Sequence, residues 1–166
     1  MAEDFKSLMI EALQDAYSAE TQLLEALPQM AEAAHSPSLR QAFEEHLAET
    51  RGHVDRLERA AEMLDADPDG EECEAMEGLT AEAEEIMDDH DEGPVRDAAL
   101  VGAAQKVEHY EIATYGTLCA MAKAAGMQEV ADLLGQTLAE EKAADERLTK
   151  LAEREINPAA LRGETE

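Results

Sequence analysis

Acidic residues interrupt the apolar stripes of this sequence at positions that should face a protein core. Glu20 falls in phase with the leucines around it, at steps of three and four residues, which is the spacing of one buried helix face. Glu108 and Glu111 occupy two consecutive core positions of a later stripe, and Glu141 is in phase in the last one. Because burying a lone carboxylate costs several kcal/mol, these residues need a compensating partner.

Two histidines lie on the second of these stripes. His46 and His53 are both in phase with its apolar residues, and Glu49 lies between them, one residue out of phase. Glu49 and His53 are four residues apart, so they share a helix face. A partly buried surface position is the simpler role for either histidine, which leaves open whether His46 or His53 binds a metal.

More than one acidic residue of the last stripe could be its metal ligand. Glu140 precedes Glu141 and competes with it for the inward position, since a modest rotation of the helix would exchange the two. Asp145 lies four residues after Glu141 on the same face, which matches the spacing of the pair on the second stripe. All three therefore count as candidate ligands.

Multivalent cations would neutralise such a set of carboxylates. Lys106 and Lys142 are the nearest basic residues in sequence and are too few to do so. Bridging carboxylates hold two metal ions close together, and oxygen ligands with some imidazole suit Fe and Mn. We therefore predict a centre of two divalent ions, Fe or Mn. Its candidate ligands are Glu20, Glu49, His53, Glu108, Glu111, Glu140, Glu141 and Asp145.

The elements that would position these residues are four long helices. Proline, glycine and serine punctuation predicts them at about residues 4–34, 39–64, 95–125 and 127–155, with a short helix at about 73–89. Short connections make two antiparallel pairs, and the long middle connection is typical of ferritin-like bundles. We predict an all-α, ferritin-like antiparallel four-helix bundle over residues 1–157, whose one long crossover contains a short fifth helix. Asn157 and Pro158 should stop the last helix, leaving a short flexible tail over 158–166.

Composition and charge limit the kinds of partner that the protein is expected to bind. The apolar residues are mainly Ala, Leu and Met, which favour helices over strands. Forty acidic residues against thirteen Lys and Arg give a net charge of −27, which repels nucleic-acid phosphates and anionic lipid. We expect no nucleic-acid and no membrane partner. The acidic, amphipathic N-terminus is unlike a signal peptide, so a cytoplasmic location is expected.

Five stretches of the sequence resemble the YciE/YciF family of ferritin-like bacterial stress proteins: DAYSAETQLLEALP, HLAETRGHVDRLE, AMEGLTAEAEEIM, VRDAALVGAAQKVEHYEIATYGTL and TLAEEKAADERLTKLA. The resemblance covers about residues 5–151 and implies a fold like that of rubrerythrin and the ferritins, with a di-iron or related two-metal centre. It also implies the following ligands: Glu20, Glu111 as a bridging carboxylate, Glu108 as a second one, Glu49, and Glu140 or Glu141.

The sequence departs from the ferritin-like pattern in its imidazoles. That pattern has Glu-x-x-His on two helices, whereas Gly52 holds the histidine position after Glu49, and alanine holds it on the last helix. His53 and Asp145 are the candidate substitutes. A site this rich in oxygen would have a different redox potential, which puts ferroxidase activity in doubt.

These observations predict a ferritin-like stress-response protein with a dinuclear Fe or Mn centre. If it is an enzyme, the reaction class is oxidation of Fe(II) or reduction of peroxide. The alternative is a metal-free helical bundle that serves as a structural or interaction protein. A homodimer is expected, because exposed Ala and Met stripes favour pairing of two copies.

Overall fold

The computed structural model describes residues 3–163, which form six α-helices and one π-helical turn. The helices are α1 (Glu3–Ala33), α2 (Pro37–Met63), α3 (Glu74–Asp89), α4 (Pro94–Ala124), α5 (Gln128–Leu151) and α6 (Asn157–Arg162), with the π-helical turn at Ala152–Ile156. Over the described range no helix is apolar enough along a sufficient length to cross a membrane. The helix bounds confirm the four predicted long helices and the short crossover helix.

Local sequence explains where the long helices begin and end. Ser36 precedes α2, and its hydroxyl accepts a hydrogen bond from the Leu39 amide at 3.3 Å, which satisfies one of the unpaired amides of the first turn. Pro37 follows in the first turn, where its missing N–H costs nothing. Gly126 separates α4 from α5 with φ of 74°, a left-handed conformation that glycine adopts without strain.

The helices pack as an antiparallel four-helix bundle. Short connections join α1 to α2 and α4 to α5, and the two helices of each pair pack on each other. α2 also packs on α5. The crossover places α3 against α1 and α4. Its start is fixed to α1, because the Cys73 amide donates to the Ser18 hydroxyl at 2.8 Å and Gln22 donates to the Cys73 carbonyl at 3.1 Å. This connectivity is the predicted ferritin-like one.

The core consists of two apolar clusters separated by a polar layer. One cluster contains Leu27, Phe43 and Leu100, and the other contains Leu57 and Leu134. Each long helix passes from one cluster to the other and carries buried polar residues at the crossing. Burial of each large apolar side chain contributes about 1.5–3 kcal/mol, so the two clusters can stabilise a fold that has charged groups at its centre.

The end of the bundle differs from the prediction that Asn157 and Pro158 stop the last helix, which was wrong. α5 ends at Leu151, the π-helical turn follows, and Pro158 lies in the first turn of α6, where no N–H is needed. Glu155 accepts a hydrogen bond from the Ser36 hydroxyl at 2.6 Å, which joins this segment to the start of α2. The division between a bundle over 1–157 and a tail over 158–166 stays a prediction, and residues 164–166 lie outside the described range.

Candidate metal centre

Six side chains converge in the polar layer, and none of the six residues is more than 4% exposed. They come from all four long helices: Glu20 from α1, His46 and His53 from α2, Glu108 and Glu111 from α4, and Glu141 from α5. Each lies on the inward stripe of its helix, so all six side chains point into the bundle. They meet there at one height.

The ligand atoms of these residues form two overlapping groups. Within each group they lie within 4.8 Å of one another: Glu20, His53, Glu111 and Glu141 in one, and His46, Glu108, Glu111 and Glu141 in the other. Glu20 and His53 are here called the His53 side, and His46 and Glu108 the His46 side. Glu111 and Glu141 belong to both groups, so their carboxylates can bridge two ions. Each ion would then have one imidazole and one carboxylate of its own.

Most of these ligand atoms have no hydrogen-bond partner within residues 3–163. Eight are buried without one: one oxygen each of Glu20 and Glu108, both oxygens of Glu111 and Glu141, His46 Nε2 and His53 Nδ1. His53 Nδ1 lies 2.9 Å from Glu141 Oε1, but not in a direction that makes a hydrogen bond. Unpaired buried polar atoms are costly. Four carboxylates and two imidazoles aimed at common points fit two divalent ions of the Fe or Mn type.

Protons balance the charge of this cluster when no cation is bound. Burial raises the pKa of Glu111 and that of Glu108 well above the ordinary value of a glutamate. Burial lowers the pKa of His53, but the adjacent Glu141 and Glu20 outweigh it and raise the value to about 10. Since a metal needs deprotonated ligands, binding must release these protons.

A glutamate–arginine pair holds His53 from outside the cluster. Glu140 Oε2 lies 2.9 Å from His53 Nε2, and Arg56 donates to the two Glu140 oxygens at 2.6 and 2.9 Å. The Arg56 guanidinium is the main cause of the lowered pKa of Glu140. With a carboxylate at Nε2, that nitrogen keeps its proton when the ring loses one, and Nδ1 is then free to face the cluster as a lone-pair donor.

His46 has a corresponding pair with the opposite ring orientation. Glu49 Oε2 lies 3.4 Å from His46 Nδ1, and Arg147 donates to both Glu49 oxygens at 3.0 Å. Burial lowers the pKa of His46, but Glu108 and Glu49 outweigh it and raise the value well above 6.5. His46 therefore presents Nε2 to the cluster, whereas His53 presents Nδ1.

Tyr115 supports the His53 side. Its buried hydroxyl donates to Glu20 Oε1 at 2.6 Å, and its ring meets that of His53 edge to face at a centroid distance of 6.3 Å. Burial next to Glu20 raises the pKa of Tyr115 well above its ordinary value, so the phenol stays a hydrogen-bond donor.

The structure brings five of the eight predicted ligands into the cluster: Glu20, His53, Glu108, Glu111 and Glu141. Glu49 and Glu140 lie behind the histidines, and of the adjacent glutamates on α5 it is Glu141 that faces inward. Asp145 lies outside both groups, with Oδ1 3.3 Å from the exposed His109 ring. Metal binding by any of these residues stays a prediction.

His46 is the cluster residue missing from the predicted ligands. The signal that could have found it is its phase, because it lies seven residues before His53 on the same stripe. The Glu-x-x-His pattern of ferritin-like bundles does not contain this position. Both histidines of the cluster come from α2, whereas the ferritin-like pattern has one histidine on each of two helices.

The chain is similar to proteins that share this fold. It is 46% identical over 156 residues to Protein YciF of Escherichia coli (strain K12), a match that covers 93% of this chain and 94% of the relative. The crystal structure of the E. coli stress protein YciF superposes with a TM-score of 0.89 at 45% identity, covering 94% of this chain and 99% of that one.

A more distant structure supports the fold alone. The ferritin-like, diiron-carboxylate proteins from Bacillus anthracis match with a TM-score of 0.70 at 21% identity, covering 92% of this chain and 99% of that one. Residues 4–161 match the family described as "Domain of unknown function (DUF892)". The chain therefore belongs to the DUF892 family, as its resemblance to the YciE/YciF proteins predicted.

Proposed function

We propose that this protein is a ferritin-like stress-response protein that holds a dinuclear Fe or Mn centre between its four long helices. The observation that carries the proposal is the pair of overlapping ligand groups, whose buried oxygens and ring nitrogens lack hydrogen-bond partners among the described residues. A metal-free cluster would leave those atoms desolvated and unpaired. The similarity to a named stress protein supports the biological role.

The residues have distinct tasks in this proposal. Glu111 and Glu141, which belong to both ligand groups, would hold both ions, while Glu20 and Glu108 would each hold one. Bound Fe or Mn ions would supply redox chemistry, for which Fe(II) oxidation and peroxide reduction are the candidate reaction classes. The surrounding apolar clusters exclude bulk water from the layer, which strengthens the electrostatic interactions within it.

Metal analysis of protein purified without chelators tests the proposal. Wild type, loaded anaerobically with Fe(II) or with Mn(II), is expected to retain two ions per chain after desalting. A Glu20→Ala/Glu111→Ala variant is expected to retain almost none. Asp145→Asn removes a carboxylate outside the cluster and is the matched control, so it should retain the wild-type amount.

The same measurement can overturn the proposal. Equal, near-zero metal in wild type, control and double variant would exclude a resident dinuclear centre. Circular dichroism must show that the double variant remains helical. Glu20→Gln/Glu111→Gln, which keeps the side-chain shapes, replaces it if it does not fold.

A metal-free structural role is the second candidate, because the raised pKa values of both histidines allow protonated imidazoles to neutralise the acids. In that role Mn(II) should leave the melting temperature of the wild type unchanged. Glu20→Leu should lower it, because the substitution removes the acceptor of the Tyr115 hydroxyl and a carboxylate beside His53. In a metalloprotein, Mn(II) should instead raise the wild-type melting temperature, and Glu20→Leu should abolish that rise.

A further inference from the structure

Three side chains outside the metal centre form a hydrogen-bonded chain where the crossover meets α1 and α4. The Tyr110 hydroxyl of α4 donates to Asp15 Oδ2 of α1 at 2.7 Å. The sulfur of Cys73, the residue before α3, lies 3.0 Å from the same hydroxyl oxygen. Because a phenol has one hydrogen and Tyr110 gives it to Asp15, the thiol is the donor in the second contact. The chain therefore runs from the thiol through the phenol to the carboxylate.

The thiol and the phenol differ in their access to solvent. Cys73 is 1% exposed, and burial raises the pKa of its thiol. A buried, protonated thiol is a poor nucleophile, so the sulfur is protected from direct attack by peroxide. Tyr110 and Asp15, by contrast, line an open cleft of about 720 Å³. A small oxidant in this cleft meets the phenol and reaches the sulfur only through it.

The charge of the cleft selects the kind of oxidant. Asp15 and four glutamates line it, and the described residues place no basic side chain among them. A cleft lined by one sign of charge concentrates molecules of the opposite sign and repels those of its own. Anionic oxidants such as superoxide are therefore kept out, whereas uncharged and cationic ones can reach Tyr110. The four glutamates are Glu11, Glu71, Glu72 and Glu74.

We propose that Tyr110 and Cys73 form a one-electron donor site for small oxidants without negative charge that enter this cleft. The oxidant takes one electron from Tyr110, whose O–H bond breaks as its proton binds to the Asp15 carboxylate. The tyrosyl oxygen then takes the hydrogen atom of the Cys73 S–H bond, which restores the phenol and leaves a sulfur radical. The oxidant is thus reduced by one electron, and Asp15 passes the proton to solvent in the cleft.

The chain contains a natural control for each member of the pair. The Tyr17 hydroxyl also donates to a carboxylate, that of Glu58 at 3.1 Å, but no thiol within the described range lies at hydrogen-bond distance from it. Cys119 is buried like Cys73, and its thiol donates to the Ala131 carbonyl at 3.6 Å instead of to a phenol. Oxidation of Tyr17 should therefore spare both thiols, and Cys119 should be oxidised slowly.

Brief photo-oxidation in air tests the proposal on the full-length protein. Tris(bipyridine)ruthenium(III), generated by light with a cobalt(III) acceptor, is a cationic one-electron oxidant. Dissolved dioxygen captures the sulfur radical, so that an oxidised thiol is lost irreversibly. The remaining thiols are alkylated after unfolding and measured by mass spectrometry. Wild type should lose the Cys73 thiol several-fold faster than the Cys119 thiol.

Three variants show whether the electron passes through the phenol. Tyr110→Phe should slow the loss of the Cys73 thiol to the rate of Cys119, because phenylalanine is not oxidised by this reagent. Asp15→Asn keeps the shape of the side chain but removes the proton acceptor, and should slow the loss several-fold. Tyr17→Phe should leave the rate unchanged.

A second readout applies if Tyr110→Phe does not fold. In a Tyr17→Phe background, flash photolysis follows the absorbance of the tyrosyl radical directly. Adding Cys73→Ser removes the hydrogen atom that restores the phenol, so the radical should then decay several-fold more slowly. An unchanged decay would overturn the transfer from Cys73 to Tyr110.

The outcomes separate this inference from the metal proposal. Equal loss of the two thiols in wild type would overturn the donor site, as would unchanged loss of the Cys73 thiol in Tyr110→Phe. The assay is run with added Zn²⁺ and again with a chelator, and the same result is expected in both, because the donor site needs no metal. Failure of the wild type to retain Fe or Mn would overturn the dinuclear centre alone.

Discussion

The two sides of the candidate metal centre use the same kinds of residue, but they hold them differently. Each has a histidine from α2, backed by a glutamate that is paired with an arginine. On the His53 side the imidazole–carboxylate distance is 2.9 Å, and the Arg56 side chain is 19% exposed. On the His46 side that distance is 3.4 Å, and the Arg147 side chain is 42% exposed.

The terminal carboxylates continue this contrast. Glu20 on the His53 side accepts a 2.6 Å hydrogen bond from Tyr115. Within residues 3–163 no tyrosine donates to Glu108 on the His46 side, and Glu108 borders a small cavity whose other lining residues are mostly apolar. Rigid surroundings fix a ligand in the geometry that the metal needs, whereas looser surroundings let a ligand change its coordination. On the proposed function, the His53 side would hold an ion more firmly, and ligand exchange would take place on the His46 side.

The largest effect should come from a residue that both sides share. Glu111→Ala removes a carboxylate from both groups and should abolish the binding of both ions. Glu108→Ala removes one from the His46 side alone and should leave one ion bound on the His53 side. Calorimetric titration with Mn(II) gives the stoichiometries. Retention of two ions by Glu111→Ala would show that the two sides do not share this ligand.

The raised pKa values predict opposite pH dependences for two quantities: the stability of the metal-free protein and its affinity for Mn(II). The pKa of His53 is about 10 when folded and about 6.5 when unfolded, so folding takes up a proton between these values. The contribution of His53 to metal-free stability should therefore be fully present below pH 6.5 and be lost as pH rises toward 10. Mn(II) affinity should rise by about tenfold per pH unit for each proton displaced.

Thermal unfolding and Mn(II) titration at pH 6.5, 7.5 and 8.5 measure these two trends. His53→Gln should flatten the stability trend. Asp145→Asn should leave both trends as in wild type, because this carboxylate lies outside the cluster. A metal-free stability that rises over this pH range would contradict a proton held by His53.

The fold was predictable because its signals are local. The positions of the long helices follow from apolar periodicity and from Pro37, Pro94 and Gly126 at their boundaries. The prediction failed at Pro158, since proline is compatible with the first turn of a new helix as well as with the end of an old one. Sequence alone does not distinguish the two.

The site was predictable only as far as helix phase allowed. Glu20, Glu108 and Glu111 stand out because they replace apolar residues on a stripe. The choice between Glu140 and Glu141 depends on the rotation of α5, which packing sets. The ion pairs Arg56–Glu140 and Arg147–Glu49 were not predicted, because their residues lie 84 and 98 positions apart in the sequence, at the contact of α2 with α5. No local spacing encodes such a pair.

Substitution of Glu140 or Glu49, the carboxylates behind the two histidines, should lower metal affinity by a smaller amount, and by different amounts on the two sides. Glu140→Gln keeps the shape of the side chain but weakens its interaction with His53. Loss of such a partner typically lowers metal affinity by about 10–100-fold. Glu49→Gln should cost less than this, because its contact with His46 is longer and its arginine partner is more exposed. Competition with a chelator of known Mn(II) affinity measures both variants, and equal losses would remove the proposed difference between the two sides.

The smallest effect on metal affinity is expected at Tyr115. Tyr115→Phe deletes the donor to Glu20 and leaves Oε1 buried and unpaired, as Oε2 already is. The free energy of unfolding of the metal-free protein should fall by about 1–3 kcal/mol. The control is Tyr17→Phe, which deletes an exposed hydrogen bond to Glu58 and should change it by less than about 0.5 kcal/mol.

Urea unfolding with and without Mn(II) distinguishes a supporting tyrosine from one that only packs. If Tyr115 orients Glu20 for the metal, the variant should also bind the ion of the His53 side a few-fold more weakly. A metal then supplies the partner that Glu20 lost, so Mn(II) should stabilise Tyr115→Phe and still leave it below wild type. Unchanged affinity together with full metal-free stability would show that the 2.6 Å contact contributes nothing to the firmness of the His53 side.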